Sequence, residues 1–423
     1  MIKARYGLIL HPLFWFSMAV VLRLSLGLTR LDAPINDQDN YIPFAKALIQ
    51  GEGMSFQGQP TAYRPPLYPM VLAPLNGLFG DGKAFHASFI VLQSLMGGLT
   101  VWLVMRSVQI IIQAGDNHAE LAGQGSFQSA LAGCLTACDP ILISQSSLPM
   151  TETLAALLLA YAAFLLIQGQ SFSSGILFGL SALCRPSLLA CTALVLFARL
   201  LSFTDGKTIM MRVRESLLIL IGTVVVLLPW GLRNWLVLGD PIFTTTHGGY
   251  TFALANNPVY YEEVLNGPPG SVWSGQQQKQ WMDEIGPSLA GLSEAEAARE
   301  MSRRTWRFVF QNPKDFLRSC LARQLHFWSI MPSGQVYGWK IRIVTAIWTT
   351  PFWVLSVISF FRKASWAWPL VAYLAVVVGL SSVHLIYWTD MRMRAPIVPA
   401  LSVLASGSVV FFQFFRKLSQ HRS

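Results

Sequence analysis

Ser216–Leu232 reads SLLILIGTVVVLLPWGL, with Glu215 before it, Arg233 after it and no charge between. An α-helix rises about 1.5 Å per residue, so about 20 such residues cross the roughly 30 Å hydrocarbon core of a bilayer. A stretch this long and this apolar predicts a membrane span. Lipid offers the backbone no hydrogen-bond partner, so every span has to be helical.

The pattern recurs on both sides of it. Candidate spans fall at 8–28, 86–112, 127–145, 151–168, 215–236, 341–361, 366–388 and 395–415, with a broken pair at 173–184 and 186–202 interrupted by Arg185-Pro186. The expected fold is an all-α polytopic membrane protein of about ten transmembrane helices. Two long hydrophilic segments, 29–84 and 238–340, carry short helices. The chain divides into a transmembrane module with the first outer loop (1–237), a large outer loop of mixed short helices (238–340) and the C-terminal transmembrane helices (341–423).

Composition agrees. The 423 residues are 53% hydrophobic and 12% charged, with a mean hydropathy of +0.46. Soluble domains carry about 25% charge, and half that fraction cannot coat an aqueous surface. A water-soluble enzyme, a disordered regulator and a disulfide-stapled secreted domain are excluded. The net charge of +10 suits cytoplasmic loops and lipid phosphates, so membrane lipids rather than nucleic acid are the expected partners. The five cysteines, Cys134, Cys138, Cys184, Cys191 and Cys320, lie mostly in apolar runs and read as small hydrophobes.

Short basic loops set the orientation. Lys3/Arg5, Lys207/Arg212/Arg214, Arg362/Lys363 and Arg416/Lys417/Arg422 fall on one side, which is then cytoplasmic. The first span follows Lys3 and Arg5 with no small-residue cleavage site after it, and reads as a retained signal-anchor. The two long segments then lie outside, in the periplasm of a bacterial inner membrane. Within the second, Ser293-Glu294-Ala295-Glu296 is a capping-box pattern and Asn312-Pro313 a stop. The helix between them interleaves aromatics with arginines, and either lies on the membrane surface or packs on its own domain.

Chemistry-bearing residues gather in the outer segments and at span ends. Asp37 and Asp39 follow the first span, where a carboxylate could accept a proton from a hydroxyl or hold a divalent cation through oxygen. In Thr61-Ala-Tyr-Arg-Pro-Pro-Leu-Tyr-Pro69, Pro65 takes Arg64 out of helical geometry, so its guanidinium could clamp a phosphate or pair with Asp37 or Asp39. Glu152 opens an uncharged stretch that runs to Cys184. A carboxylate there is a functional candidate or a helix-dipole partner. Arg185-Pro186 is either a kink lining a polar cavity or a snorkelling arginine. His247 is a lone histidine. Arg392 and Arg394, on the side opposite to the basic loops, suit an anion such as a lipid phosphate. The chain has no P-loop and no dinucleotide fingerprint, so nucleotide-linked donors are not expected.

In order along the chain, Asp37 four before Tyr41, Gly51 and Gly53, Arg64-Pro-Pro-Leu-Tyr-Pro69, Thr151-Glu152, Arg185-Pro186, Arg233-Asn234, Gly248-Gly249, Asn256-Asn257-Pro258, Asn312-Pro313 and Arg394-x-Pro396 resemble the GT-C membrane glycosyltransferases. The likeness is greatest to bacterial relatives of protein O-mannosyltransferases and of the lipid A aminoarabinose transferase, and it covers nearly the whole chain. The resemblance implies an enzyme that takes a sugar from a polyprenyl-phosphate carrier on the outer face, with inversion, and passes it to a glycan, lipid or protein acceptor. It also implies Asp37 as base, with Asp39 and Glu152 as the other candidate catalytic acids. Arg64, Tyr68, Arg233, Asn234, Arg392 and Arg394 are implied at the carrier phosphate, and Tyr41, His247, Asn256 and Asn257 at acceptor or loop contacts. No cofactor motif stands out; the metal is open, a divalent cation being compatible with the acids.

A transporter or flippase of lipid-linked sugars would also use apolar spans and phosphate-binding arginines, but it would carry midplane charge and repeated halves, which this sequence lacks. A non-catalytic envelope-assembly subunit would have no use for Asp37.

Overall fold

The structure, a computed structural model, describes residues 9–114, 122–268, 271, 273 and 275–408. Lys3, Arg5, Arg416, Lys417 and Arg422 of the orientation argument lie outside the described residues. Helix α1 (Pro12–Thr29) starts where Pro12 needs no N–H partner and His11 Nδ1 accepts from the Leu13 N–H at 3.2 Å. The first outer segment then holds α2 (Tyr41–Ile49), a hairpin of β1 (Ser55–Phe56) and β2 (Gln59–Pro60), and α3 (Leu67–Phe79). The bundle continues with α4 (Lys83–Gln113), α5 (Ala122–Ala137), α6 (Pro140–Gln145), α7 (Glu152–Ile167), α8 (Ser171–Cys184), α9 (Leu189–Leu201) and α10 (Ile209–Leu238). The second outer segment contributes α11 (His247–Ala255), α12 (Gly275–Ile285), α13 (Glu294–Gln311) and α14 (Pro313–Phe327). It is followed by α15 (Trp339–Phe360), α16 (Leu370–Ile386) and α17 (Val398–Gly407).

Among the described residues four helices, α1, α4, α10 and α15, are long and apolar enough to cross a membrane, and five shorter apolar helices stand among them. The chain is an integral membrane protein. Helix α7 is apolar all round and buried along most of its length, so it forms the middle of the bundle. Small residues set the closest approaches. A Cβ on Gly175 would come within 2.2 Å of the Ile219 carbonyl oxygen, and one on Gly222 within 2.4 Å of the Phe172 carbonyl oxygen, so α8 and α10 touch backbone to backbone. Between helices in lipid, such close packing replaces the hydrophobic effect.

The structure corrects two expectations and decides between the alternatives of a third. The span expected at 127–145 is two helices. Arg23 of α1 takes the carbonyls of Ala137 at 3.0 Å and Thr136 at 3.4 Å, which ends α5. Asp139 Oδ1 then accepts from the Ile141 and Leu142 N–H groups, and Pro140 restarts the chain as α6. The last span was expected from residue 395. A 3₁₀ turn over Met391–Ile397 precedes α17, because Asp390 caps that turn and Pro396 interrupts regular bonding. Finally, α13 forms with its capping box in place, but its apolar side (Ala295, Met301, Val309) is buried, and Trp306 packs on Phe252 of α11 at 4.9 Å. Of the two placements left open for it, this packing is the one on its own domain.

The break at Arg185-Pro186 is present. Helix α8 stops at Cys184 and a turn over Pro186–Leu188 leads into α9, because Pro186 cannot donate and holds Arg185 extended.

Candidate active site

Asp37 is held by the helix it precedes. Its Oδ1 accepts from the Tyr41 N–H at 2.9 Å and its Oδ2 from the Ile42 N–H at 2.8 Å, which satisfies two free donors at the start of α2. A carboxylate has about four acceptor positions, so each oxygen keeps one for a proton. Burial pushes the Asp37 carboxyl above its ordinary value. The two N–H groups and Arg64 pull it down, and Asp39 pushes it further up.

Arg64 stands beside it. Its Nη2 is 3.0 Å from Asp39 Oδ1, its Nη1 is 3.4 Å from His247 Nε2, and the guanidinium lies 5.8 Å from the Tyr41 ring and 5.4 Å from the Tyr63 ring. Arginine only donates, so Nε2 is the accepting nitrogen, the proton sits on Nδ1, and that Nδ1–H has no partner in the protein. Burial and the Arg64 charge hold His247 well below its ordinary pKa, so it is neutral at neutral pH.

A second group adjoins the first. Glu152, fully buried at the start of α7, has Oε1 2.9 Å from Arg185 Nη1, while its Oε2 has no hydrogen-bond partner. Arg185 also donates to Thr151 Oγ1 at 3.1 Å and spends Nη2 on the Met393 thioether. Arg392 Nε is 3.1 Å from Asp390 Oδ2, and its Nη1 donates to Gln38 Oε1 at 3.3 Å. Gln38 therefore ties the last outer turn to the loop of Asp37. Tyr41, edge-on to Tyr68 at 5.1 Å, lies within electrostatic reach of Asp39, Arg64 and Arg185.

The site thus brings together Asp37, Asp39, Tyr41, Arg64, Tyr68, Glu152, His247 and Arg392 from segments spread over more than 350 residues of chain. The other sequence candidates lie apart from it. Arg233 donates to the Thr61 carbonyl at 3.0 Å and the Met54 carbonyl at 2.8 Å, and Asn234 donates to the Ile242 carbonyl, pinning the end of α10 to the first outer loop. Arg394 is buried over the Trp353 ring with Nη1 on the carbonyls of Phe327 and Ser329. Asn256 bridges Phe252 and Ile386, and Asn257 caps the turn at Tyr260.

Sequence reasoning left three participants without a role. Arg185 carried a signal, a charge before proline in an apolar stretch. Asp390 and Gln38 carried none beyond their neighbours. Glu294, read only as a helix start, also accepts from Thr61, Thr246 and the Ala62 N–H, which joins the two outer segments. Among the described residues no group of three His, Cys, Asp or Glu side chains that could hold a metal ion is present.

Chemically, the site offers a proton acceptor with open lone pairs beside guanidiniums that could face an anion. It stands where the 29–84 segment meets the ends of apolar helices.

No protein-family model matches the chain, and no curated protein matches it in sequence. Solved structures do match. The oligosaccharyltransferase AglB from the archaeon Archaeoglobus fulgidus, in complex with an inhibitory peptide and a dolichol-phosphate, superposes with a TM-score of 0.50 at 12% identity, over 96% of this chain and 52% of AglB. The Archaeoglobus fulgidus oligosaccharyltransferase tethered to an acceptor peptide gives 0.52 at 13% identity, over 96% and 51%. ArnT from Cupriavidus metallidurans bound to undecaprenyl phosphate gives 0.44 at 14% identity, over 93% and 77%. The chain spans about half the length of the oligosaccharyltransferases it resembles. The likeness gives the fold, one shared with the Archaeoglobus fulgidus oligosaccharyltransferases.

Proposed function

We propose that this chain is a GT-C glycosyltransferase that moves a hexosyl or pentosyl unit from a polyprenyl-phosphate carrier to an acceptor hydroxyl, with inversion at the anomeric carbon. The acceptor is a glycan, lipid or protein, and the reaction runs at the periplasmic face of a bacterial inner membrane. One observation carries the reading: Asp37, with a raised pKa and open lone pairs, shares the end of the bundle with Arg64, Arg185 and Arg392. The fold supports it, since AglB, which has this fold, binds a dolichol-phosphate.

In the proposed step the acceptor oxygen attacks the anomeric carbon as Asp37 takes its proton. The anomeric C–O bond to the phosphate breaks, and its electron pair leaves on the carrier phosphate. General-base catalysis of this kind contributes about 10²–10⁴-fold. The leaving phosphate gains negative charge, which arginines already held in place stabilise without reorganising. Arg392, with part of its fork on Asp390 and Gln38, and Arg64, beside Asp39, are assigned to that charge. Tyr41 and Tyr68 wall the site below Asp37, and Glu152 keeps Arg185 oriented. Arg233 and Arg394, whose donors are committed to carbonyls, are assigned to positioning, as are Asn234, Asn256 and Asn257. His247 and the second outer segment, joined to the first by Glu294, lie on the acceptor side. No step runs through a metal.

The test is release of polyprenyl phosphate from purified protein supplied with polyprenyl-phosphate sugars and an extract of host acceptors. Release by the wild type and none by Asp37→Asn is the expected result. Equal release by both would move the base to Asp39 or Glu152. Donor binding without release by either would favour a transporter of lipid-linked sugars.

A further inference from the structure

We infer that α14 (Pro313–Phe327) is an in-plane anchor whose leucine face is seated in the outer leaflet of the same membrane, with anionic headgroups at its basic N-terminal half. This helix belongs to the 238–340 segment that the sequence assigned wholly to the outside. The inference rests on the membrane reading of the fold and not on the proposed enzymology.

The first observation is a stripe. Leu317, Leu321 and Leu325, four residues apart and so on one face, are 68%, 63% and 65% exposed, while Ser319, Arg323 and Phe327 on the other face are buried. Large leucines in a row on a water-facing helix would make an unexplained apolar patch.

The second observation fixes the depth. Arg323 Nε donates to the Leu385 carbonyl at 2.8 Å, Gln324 Nε2 to the Ser381 carbonyl at 2.9 Å, and Trp328 Nε1 to Ser381 Oγ at 3.0 Å. Helix α16 ends at Ile386, so Ser381 lies about 7–8 Å inside that end. The C-terminal half of α14 therefore runs beside the end of an apolar bundle helix, at the depth of about 5–10 Å that interfacial helices reach.

The third observation is polarity along the helix. Lys314 and Arg318, the latter with Nη1 2.8 Å from Asp315 Oδ1, are exposed two turns before Leu321 and Leu325, so the charges lie toward headgroups while the leucines lie deeper. Trp339 at the start of α15 is exposed, followed by exposed Ile343, Val344 and Ile347. An exposed tryptophan at a span's end is a usual interface marker.

The test uses the full chain in nanodiscs of phosphatidylcholine with phosphatidylglycerol. An environment-sensitive fluorescent amino acid is placed at position 321 or 325 and, as a control, at exposed position 279 of α12. Lipids carrying a doxyl group on the chain should quench positions 321 and 325 several-fold more than 279, with iodide showing the reverse order. Lys314→Gln with Arg318→Gln should weaken the quenching at 325 in phosphatidylglycerol discs and leave it unchanged in pure phosphatidylcholine. Iodide quenching at 321 and 325 equal to that at 279 would overturn the inference. So would protection from both quenchers with cross-linking between two copies of the chain, since a second copy would then cover the stripe. The melting temperature reports whether each probe leaves the fold in place, and position 317 replaces any that does not.

Discussion

Two clusters of arginines and carboxylates stand at opposite ends of α10, and they differ in which of their polar groups are left without a partner. At its start, buried Arg199 pairs with Asp205 at 2.7 Å and Glu215 at 2.6 Å, while Lys207 takes the other oxygen of Glu215 at 2.6 Å. The Arg199 guanidinium lies 4.5 Å over the Trp368 ring. Two cations meet two anions and both oxygens of Glu215 are used, while Arg199 Nη2 has no hydrogen-bond partner. At the far end, Glu152 Oε2 and His247 Nδ1 have no partner, and Arg185 spends a donor on a thioether, a weak acceptor. Buried polar groups without partners cost free energy. The first cluster leaves over a donor of an arginine that is otherwise paired, and it holds loops together; the second leaves over a carboxylate oxygen and an imidazole N–H, an acceptor and a donor open to a ligand.

The largest expected effect separates chemistry from support. Asp37→Asn keeps an oxygen for one of the two N–H groups at the start of α2 but cannot take a proton. Transfer should fall by about 10²–10⁴-fold with little change in melting temperature. Arg199→Met should do the opposite. It leaves Asp205 and Glu215 without their buried partner, at a cost of about 3–5 kcal/mol, read as a lowered melting temperature with kcat unchanged in the folded fraction. A transfer defect in Arg199→Met that exceeds its loss of folded protein would break the comparison.

A smaller effect sharpens it within one short stretch. Arg392 and Arg394 are two residues apart and indistinguishable by sequence, yet one faces Gln38 and Asp390 while the other is buried on the carbonyls of Phe327 and Ser329. Arg392→Ala should raise the KM for the polyprenyl-phosphate donor by about 10–100-fold, the loss of one charge-assisted contact. Arg394→Ala should chiefly lower the melting temperature. Equal KM effects from both would remove Arg392 from the phosphate.

That pair also marks how far the sequence could be read. Apolar runs gave the helical membrane class, and the serine–glutamate spacing at Ser293 gave a real capping box, because both depend on near neighbours. Asp37, Asp39, Arg64, Glu152 and Arg392 were legible as candidates because charge at a span's end is costly and therefore conspicuous. What stayed hidden depends on contacts across the chain. Nothing local tells that Arg23 will take the carbonyls that end α5, or that Glu294 will bind the first outer loop. Nor does spacing tell which arginine of Arg392-Met-Arg394 turns inward, since that is decided by Trp353 and the end of α14.

The smallest effect, a shift in pH profile, bears most directly on Asp37. Burial raises its pKa above the ordinary carboxylate value, so transfer should fall as pH drops through that raised value, when the base becomes protonated. Stability runs the other way: between the unfolded and the raised folded pKa the native state binds more proton than the unfolded one, so this group's contribution to stability grows as pH falls. Burial and Arg64 hold the His247 pKa well below its ordinary value, so His247→Gln should leave the acid limb where it is. The neighbours of Asp37 should move that limb in opposite directions. Asp39→Asn removes a charge that raises the Asp37 pKa and should shift the limb to lower pH. Arg64→Gln removes a charge that lowers it and should shift the limb to higher pH. The limb is read from kcat/KM between about pH 4 and 7, where it reports free-enzyme groups. Opposite shifts tie the titrating group to the carboxylate between those two charges, whereas shifts of the same sign would show that the limb belongs to another acid.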